Sequence, residues 1–103
     1  MKKTLSIAAI VALFVLAVPA SFGQAADLYK TRCAGCHGAD GKGATPAGKA
    51  MGARDLTAGP AAKETDAEWI TITTKGKNKM PGYDGKLTTA QISDLVKFIR
   101  TLK

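Results

Sequence analysis

Apolar residues near the carboxyl end of the chain recur at the spacing of one face of an α-helix. That stripe contains Ile92, Leu95, Val96, Ile99 and Leu102. The segment Thr88-Thr89-Ala90-Gln91 just before it matches a capping box, in which the first hydroxyl and the fourth side chain satisfy backbone N–H groups. The pattern therefore predicts an amphipathic helix from Thr88 that buries its stripe in a core.

A second capping box, Thr65-Asp66-Ala67-Glu68, predicts another helix that begins at Thr65. Gly76 is the natural stop for this helix, because glycine tolerates the backbone that follows a last turn. The β-branched run from Ile70 to Thr74 favours a strand instead. Helix signals at both ends favour the helix, and the strand stays as the alternative.

The remaining pattern predicts one helix and one long loop. Asp27 is a good N-cap residue and Gly38 a good terminator, so the first helix is predicted from about Asp27 to Cys36. From Gly38 to Pro60 the chain is rich in glycine and proline, which is loop composition. Within that loop, Lys49 to Leu56 is a candidate for a short helix. The fold class predicted is all-α, with three main helices.

The amino-terminal segment has the pattern of a secretory signal. Lys2 and Lys3 precede an almost wholly apolar run from Leu5 to Val18, and Gly23-Gln24-Ala25 offers small residues at a cleavage site. We therefore predict a signal peptide at residues 1–25 and a single domain at residues 26–103. A cut after Ala20 and an uncleaved anchor are the alternatives. Export predicts the periplasm or a compartment like the thylakoid lumen.

The run Cys33-Ala34-Gly35-Cys36-His37 carries the candidate chemistry, because C-x-x-C-H is the attachment signature of a c-type haem. The two thiols form thioether links to the porphyrin, and the histidine that follows binds the iron. A zinc site needs further ligands, and the chain has two cysteines and one histidine in all. A thioredoxin-like dithiol belongs beside a βαβ pattern, which this sequence does not show. We therefore predict one haem c per chain.

A haem iron has a second axial position, and His, Met, Cys or Tyr can fill it. The candidates left are Met51, Met80, Tyr29 and Tyr83. Tyr29 is too close to the haem motif to reach the opposite face. Met80 is preferred, because it lies between two predicted helices, far enough from His37 to cross over, and Pro81 stiffens the chain after it. Met51 and an open sixth site remain the alternatives.

Together these features resemble a class I c-type cytochrome of the small bacterial or algal kind. The haem motif, the segment from Gly76 to Tyr83 and the carboxyl-terminal helix carry the resemblance. It implies a cytochrome c fold, with long loops wrapped around one low-spin haem, and an electron-transfer protein rather than an enzyme. It also implies that the carbonyl of Pro46 accepts a hydrogen bond from His37. Trp69 and Arg54 resemble residues that contact haem propionates, although surface or core packing is the preferred role for both.

Charge bears on partners. The chain has 15 Lys and Arg against 8 Asp and Glu, and nucleic acid is a poor partner for an exported protein. A basic face that steers toward an acidic redox partner fits better, with a generic solubilising surface as the alternative. The lysines that could ring the exposed haem edge are Lys42, Lys75, Lys77 and Lys79. We further expect a monomer without a membrane span in the mature chain, with membrane complexes among its candidate partners.

Overall fold

The computed structural model describes residues 21–103, and all regular structure in that range is helical. The helices are α1 (Ser21–Arg32), α2 (Ala34–His37), α3 (Pro46–Met51), α4 (Gly59–Lys63), α5 (Asp66–Lys75) and α6 (Thr89–Ile99). Two isolated β-bridges, Lys77 with Met80 and Asp84 with Leu87, stabilise turns. The all-α prediction is confirmed, and the alternative of a strand from Ile70 to Thr74 is wrong because those residues lie in α5. No helix within residues 21–103 is long and apolar enough to cross a membrane.

Both predicted capping boxes form, and they set the starts of the two longest predicted helices. The Thr65 hydroxyl accepts a hydrogen bond from the Glu68 backbone N–H, and the Glu68 carboxylate accepts one from the Thr65 backbone N–H. Thr88 and Gln91 make the same reciprocal pair before α6. These contacts are local in sequence, so α5 and α6 begin where the pattern predicts.

The core lies between α1, α5 and α6, and α1 packs against α6. Ile92, Leu95, Val96 and Ile99 of the apolar stripe are buried, and Leu102 is half-buried at its end. Tyr29 of α1, Trp69 of α5 and Leu87 complete the buried cluster. The stripe therefore has the core role predicted for it.

The amino-terminal helix differs from its prediction at both ends. It already includes Ser21, the first residue that the structure describes, so Asp27 is not its N-cap but an exposed residue inside α1. It breaks at Cys33, and the short helix α2 then holds the rest of the haem motif. Residues 1–20 of the predicted signal lie outside the described part, and the predicted cut after Ala25 falls within α1, where Ala25 is buried. The signal peptide and its boundary stay predictions.

The glycine-rich segment contains one short helix, α3, and a second short helix, α4, begins at its end. The short helix expected at Lys49 to Leu56 lies earlier, because Thr45 caps it and Pro46 occupies its first turn. Gly52 ends it in the left-handed conformation, with φ of 71°. The helix α4 (Gly59–Lys63) was not predicted; it is a short helix with Pro60 in its first turn. The segment is still mainly loop, and it covers one side of the cavity described next.

Candidate haem site

One cavity gathers the residues that the sequence singled out. It has a volume of about 270 Å³ and is lined by Cys33, Cys36, His37, Met51, Met80 and Tyr83. Its floor is formed by apolar side chains of the core and its flanking loop, namely Leu56, Trp69, Ile72, Leu95 and Ile99. The structure therefore brings both predicted axial residues and both cysteines to the same space.

Cys33 lies just before the short helix α2, at its N-cap position, Cys36 is the third residue of that helix, and both cysteines are half-buried. Burial raises the pKa of the Cys33 thiol to about 11, so this thiol stays protonated at neutral pH. His37 follows directly at the end of α2. The three candidate groups are thus carried on one rigid turn of helix.

The imidazole of His37 has a defined orientation. Its Nδ1 lies 3.3 Å from the backbone carbonyl oxygen of Arg54. A carbonyl can only accept, so Nδ1 carries the proton in this contact and Nε2 keeps its lone pair for a metal. Burial lowers the pKa of His37, although the Arg54 carbonyl opposes that shift, and the ring is therefore neutral at pH 7.

The carbonyl beside His37 is not the one that the resemblance implied. Pro46 was expected to supply it, and the structure places Arg54 there. Pro46 is the first residue of α3, so its carbonyl points along that helix toward the next turn. Arg54 lies in the irregular stretch after α3, where its carbonyl is not used by a helix and can face the ring.

Thr45 and Gly48 support this side of the cavity, and sequence reasoning did not single them out. The Thr45 hydroxyl lies 2.9 Å from the carbonyl oxygens of both Gly35 and Cys36, and it accepts from the Gly48 N–H. A β-carbon at Gly48 would collide with the Cys36 carbonyl oxygen. The Thr-Pro pair predicts a helix start, but only the folded structure shows that α3 packs against α2.

Met80 lines the cavity from a tight turn between α5 and α6. The backbone N–H groups of Lys77 and Met80 each donate to the carbonyl of the other residue, at 3.1 and 2.9 Å. Asn78, between them, has φ of 54°, a left-handed conformation that asparagine tolerates better than most residues. We name residues 76–83 the Met80 loop. This loop brings Met80 to the same cavity that the haem motif lines.

Trp69 and Arg54 both line the cavity, and each also makes structural contacts. The Trp69 Nε1–H donates to the Ala61 carbonyl at 3.0 Å, and the guanidinium carbon of Arg100 lies 3.6 Å from the centre of the indole ring. The Arg54 guanidinium pairs with Glu64 at 2.8 Å. The contacts of Trp69 are therefore those of the packing role that was preferred for it. The ion pair of Arg54 with Glu64 anchors the segment in which the Arg54 carbonyl faces His37.

The residues present fit a covalently bound haem. Two thiols, a neutral imidazole and a soft thioether meet around an apolar cavity, which is the donor set that a c-type haem uses. His37 and Met80 would hold the iron, and Cys33 and Cys36 would hold the porphyrin. The fold and this site define a small monohaem c-type cytochrome.

Comparison with known proteins gives the same class. The family model described as "Cytochrome C oxidase, cbb3-type, subunit III" matches residues 20–99, and the chain belongs to this family. A curated relative, cytochrome c6 of Limnospira maxima, is 32% identical over 76 residues, which cover 72% of this chain and 84% of that protein.

Solved structures show the same fold. The KustC0563 c-type cytochrome superimposes with a TM-score of 0.70 at 32% identity, covering 77% of this chain and 96% of the other. A tyrosine-to-phenylalanine mutant of that cytochrome gives 0.68 at 31% identity, covering 77% and 98%. The cytochrome c fold and the haem c cofactor are thereby confirmed. The chain is an electron carrier rather than an enzyme, and its partners are redox partners.

Proposed function

We propose that this chain is a soluble one-electron carrier in which His37 and Met80 are the two axial ligands of a low-spin haem c. The observation that carries the proposal is their convergence on one cavity, with Cys33 and Cys36 beside His37. Met51 lines the same cavity, but its side chain is 42% exposed at the rim, where α3 ends. Met80 is half-buried and belongs to a hydrogen-bonded turn, which supports it as the ligand over Met51.

Haem supplies a one-electron couple when it is bound, and the residues of this chain adjust and protect that couple. The Met80 thioether is a soft neutral donor, and such a donor favours the ferrous state and raises the reduction potential. The apolar floor acts in the same direction, because a low dielectric disfavours the extra charge of the ferric state. The Arg54 carbonyl holds the His37 ring in one orientation and increases its basicity.

The partner that fits this chain presents an acidic docking surface. Lys77, Lys79 and Arg32 line the mouth of the cavity and are exposed. Lys42 and Lys75 are exposed as well, but they do not line the cavity. Positive charges around a redox centre accelerate encounters with an acidic partner, and added salt screens them. We therefore expect weak docking of a monomer whose rate falls as ionic strength rises.

Export is part of the same proposal. The predicted signal at residues 1–25 would deliver the chain to the periplasm or an equivalent compartment, where the cysteines meet haem. That compartment is oxidising, so Cys33 and Cys36 could form a disulfide there instead. The two thiols must therefore be reduced when they meet the haem.

The experiment that tests the axial ligands compares two methionine variants of periplasmically produced protein. Met80→Ala should abolish the weak ferric band at the red edge of the visible spectrum that marks iron–thioether bonding. It should also lower the potential and admit carbon monoxide or cyanide. Met51→Ala is the matched control and should keep the band. A spectrum unchanged by Met80→Ala would reject Met80, and loss of the band in Met51→Ala alone would assign Met51.

The description of the matching family favours a second candidate function, because it names a subunit of a cytochrome c oxidase. In that case the chain would work while bound to a membrane enzyme rather than as a diffusing carrier. Gel filtration of gently solubilised membranes separates the two. Haem-stained protein in a large complex would support the role of an oxidase subunit. Its recovery as a small soluble monomer would support the role of a diffusing electron carrier.

A further inference from the structure

The Met80 loop is attached firmly to the end of α5. The Gly76 N–H donates to the Ile72 carbonyl at 2.7 Å, and the Tyr83 N–H donates to the Thr73 carbonyl at 2.9 Å. Gly82 packs so closely that a β-carbon there would lie 2.7 Å from the Thr74 carbonyl oxygen. All of these contacts are with residues less than a dozen positions away, on the same side of the cavity.

One contact reaches across the cavity to the haem motif. The Tyr83 hydroxyl donates to the carbonyl of Arg32 at 3.0 Å, across 51 residues of sequence. Within residues 21–103 it is the one hydrogen bond that joins the Met80 loop to the segment from α1 to Gly43. Its acceptor is the last residue of α1, next to Cys33, and the final carbonyls of a helix have no partner inside it. The tyrosine therefore satisfies a group that would otherwise need water.

The ring of Tyr83 is already positioned by other contacts. It is half-buried, lines the cavity and packs against the core cluster. A phenylalanine would keep this packing and lose only the hydroxyl. The hydroxyl can therefore be tested without disturbing the fold.

From this geometry we propose that Tyr83 is a positioning residue, whose hydroxyl latches the Met80 loop to the end of α1 and keeps Met80 over the cavity. The inference rests on the proposed role of Met80 as an axial ligand. An external ligand can bind the iron on that side only when the loop opens. Its apparent affinity is therefore its intrinsic affinity multiplied by the fraction of molecules that are open. Removal of the latch should increase that fraction.

The experiment uses the ferric haem protein and imidazole as the external ligand. Tyr83→Phe should retain the iron–thioether band and bind imidazole about two- to tenfold more tightly than the wild type, as expected for the loss of one hydrogen bond. Tyr29→Phe is the matched control, because its hydroxyl donates to the Gly38 carbonyl and does not touch the Met80 loop. It should lower the global stability in guanidinium and leave imidazole affinity near that of the wild type.

The possible outcomes separate the latch from the ligand. If the wild type lacks the thioether band, both the proposed ligation and the latch are overturned. If the band is present and Tyr83→Phe binds imidazole as the wild type does, the latch alone is overturned. Equal increases in both tyrosine variants would mean that imidazole affinity follows global stability, which also overturns the latch. An increase confined to Tyr83→Phe supports it.

Discussion

The two sides of the cavity are built differently. On the His37 side, α2 and α3 touch through backbone: Gly48 lies against the Cys36 carbonyl, and Thr45 bonds the carbonyls of the haem motif. On the Met80 side, the Met80 loop is bonded to the end of α5. Within residues 21–103, one hydrogen bond joins this loop to the segment that carries the haem motif, from the Tyr83 hydroxyl to the Arg32 carbonyl. We therefore expect the His37 side to move only when the protein unfolds, and the Met80 loop to open on its own. Ligand exchange should be confined to the Met80 side.

The largest loss of stability is expected on the His37 side, where α3 packs most closely against α2. Gly48→Ala would force a β-carbon into the Cys36 carbonyl, and α3 would have to separate from α2. We expect a loss of at least about 2 kcal/mol in the free energy of unfolding, measured in guanidinium. Gly35→Ala is the control, since nothing lies within 4 Å of its added carbon. Equal stability of the two variants would show that the His37 wall is not tightly packed.

The same substitution on the other wall should release the loop instead. In Gly82→Ala the new carbon would lie 2.7 Å from the Thr74 carbonyl oxygen and from the Lys75 carbonyl carbon. The loop should move away from α5, so the iron–thioether band should weaken and imidazole should bind more tightly. The stability loss should be smaller than in Gly48→Ala. A stable variant with a full band and unchanged imidazole affinity would contradict the idea of a hinged wall.

The sequence predicts the two walls with unequal success, for a physical reason. Capping boxes at Thr65 and Thr88 are local, so α5 and α6 could be predicted together with the loop that carries Met80. The position of α3 depends on contact between Gly48 and Cys36, which no local pattern shows. The same distant packing decides that Arg54, and not Pro46, supplies the carbonyl beside His37. Motif chemistry thus singled out Cys33, Cys36 and His37 as candidates, while the residues that support them became visible only in the fold.

Alkaline pH should lower the free energy of unfolding through the ionisation of Tyr29. Burial raises its pKa from 10.0 to about 12, because the ionised phenol would be desolvated. A folded-state pKa above the unfolded value gives a contribution that is complete below pH 10 and is lost as pH rises toward 12. The free energy of unfolding should therefore fall more steeply across that interval in the wild type than in Tyr29→Phe. Parallel curves for the two proteins would contradict this assignment.

The smallest effect is expected from the half-buried ion pair between Arg54 and Glu64. Hydrogen bonding to Arg54 lowers the pKa of Glu64 below its ordinary value of 4.5. A lowered folded-state pKa gives stability that is present above pH 4.5 and is lost as pH falls further. Glu64→Gln should lose about 0.2–1 kcal/mol at pH 7 and less in acid. Asp94→Asn is the control, because Asp94 makes no ion pair within residues 21–103; an equal loss there would contradict a specific Glu64 effect.

The central claim is that this domain holds one haem through Cys33 and Cys36, with His37 and Met80 on either side of the iron. Its most direct test is the absorption spectrum of the wild-type protein, before and after denaturation in alkaline pyridine. The account predicts a ferric thioether band in the native protein. After denaturation, the haem should remain attached to the polypeptide and should give the haemochrome spectrum of a porphyrin with two thioether links. A colourless protein that is nevertheless cooperatively folded, or haem that dissociates on denaturation, would contradict it.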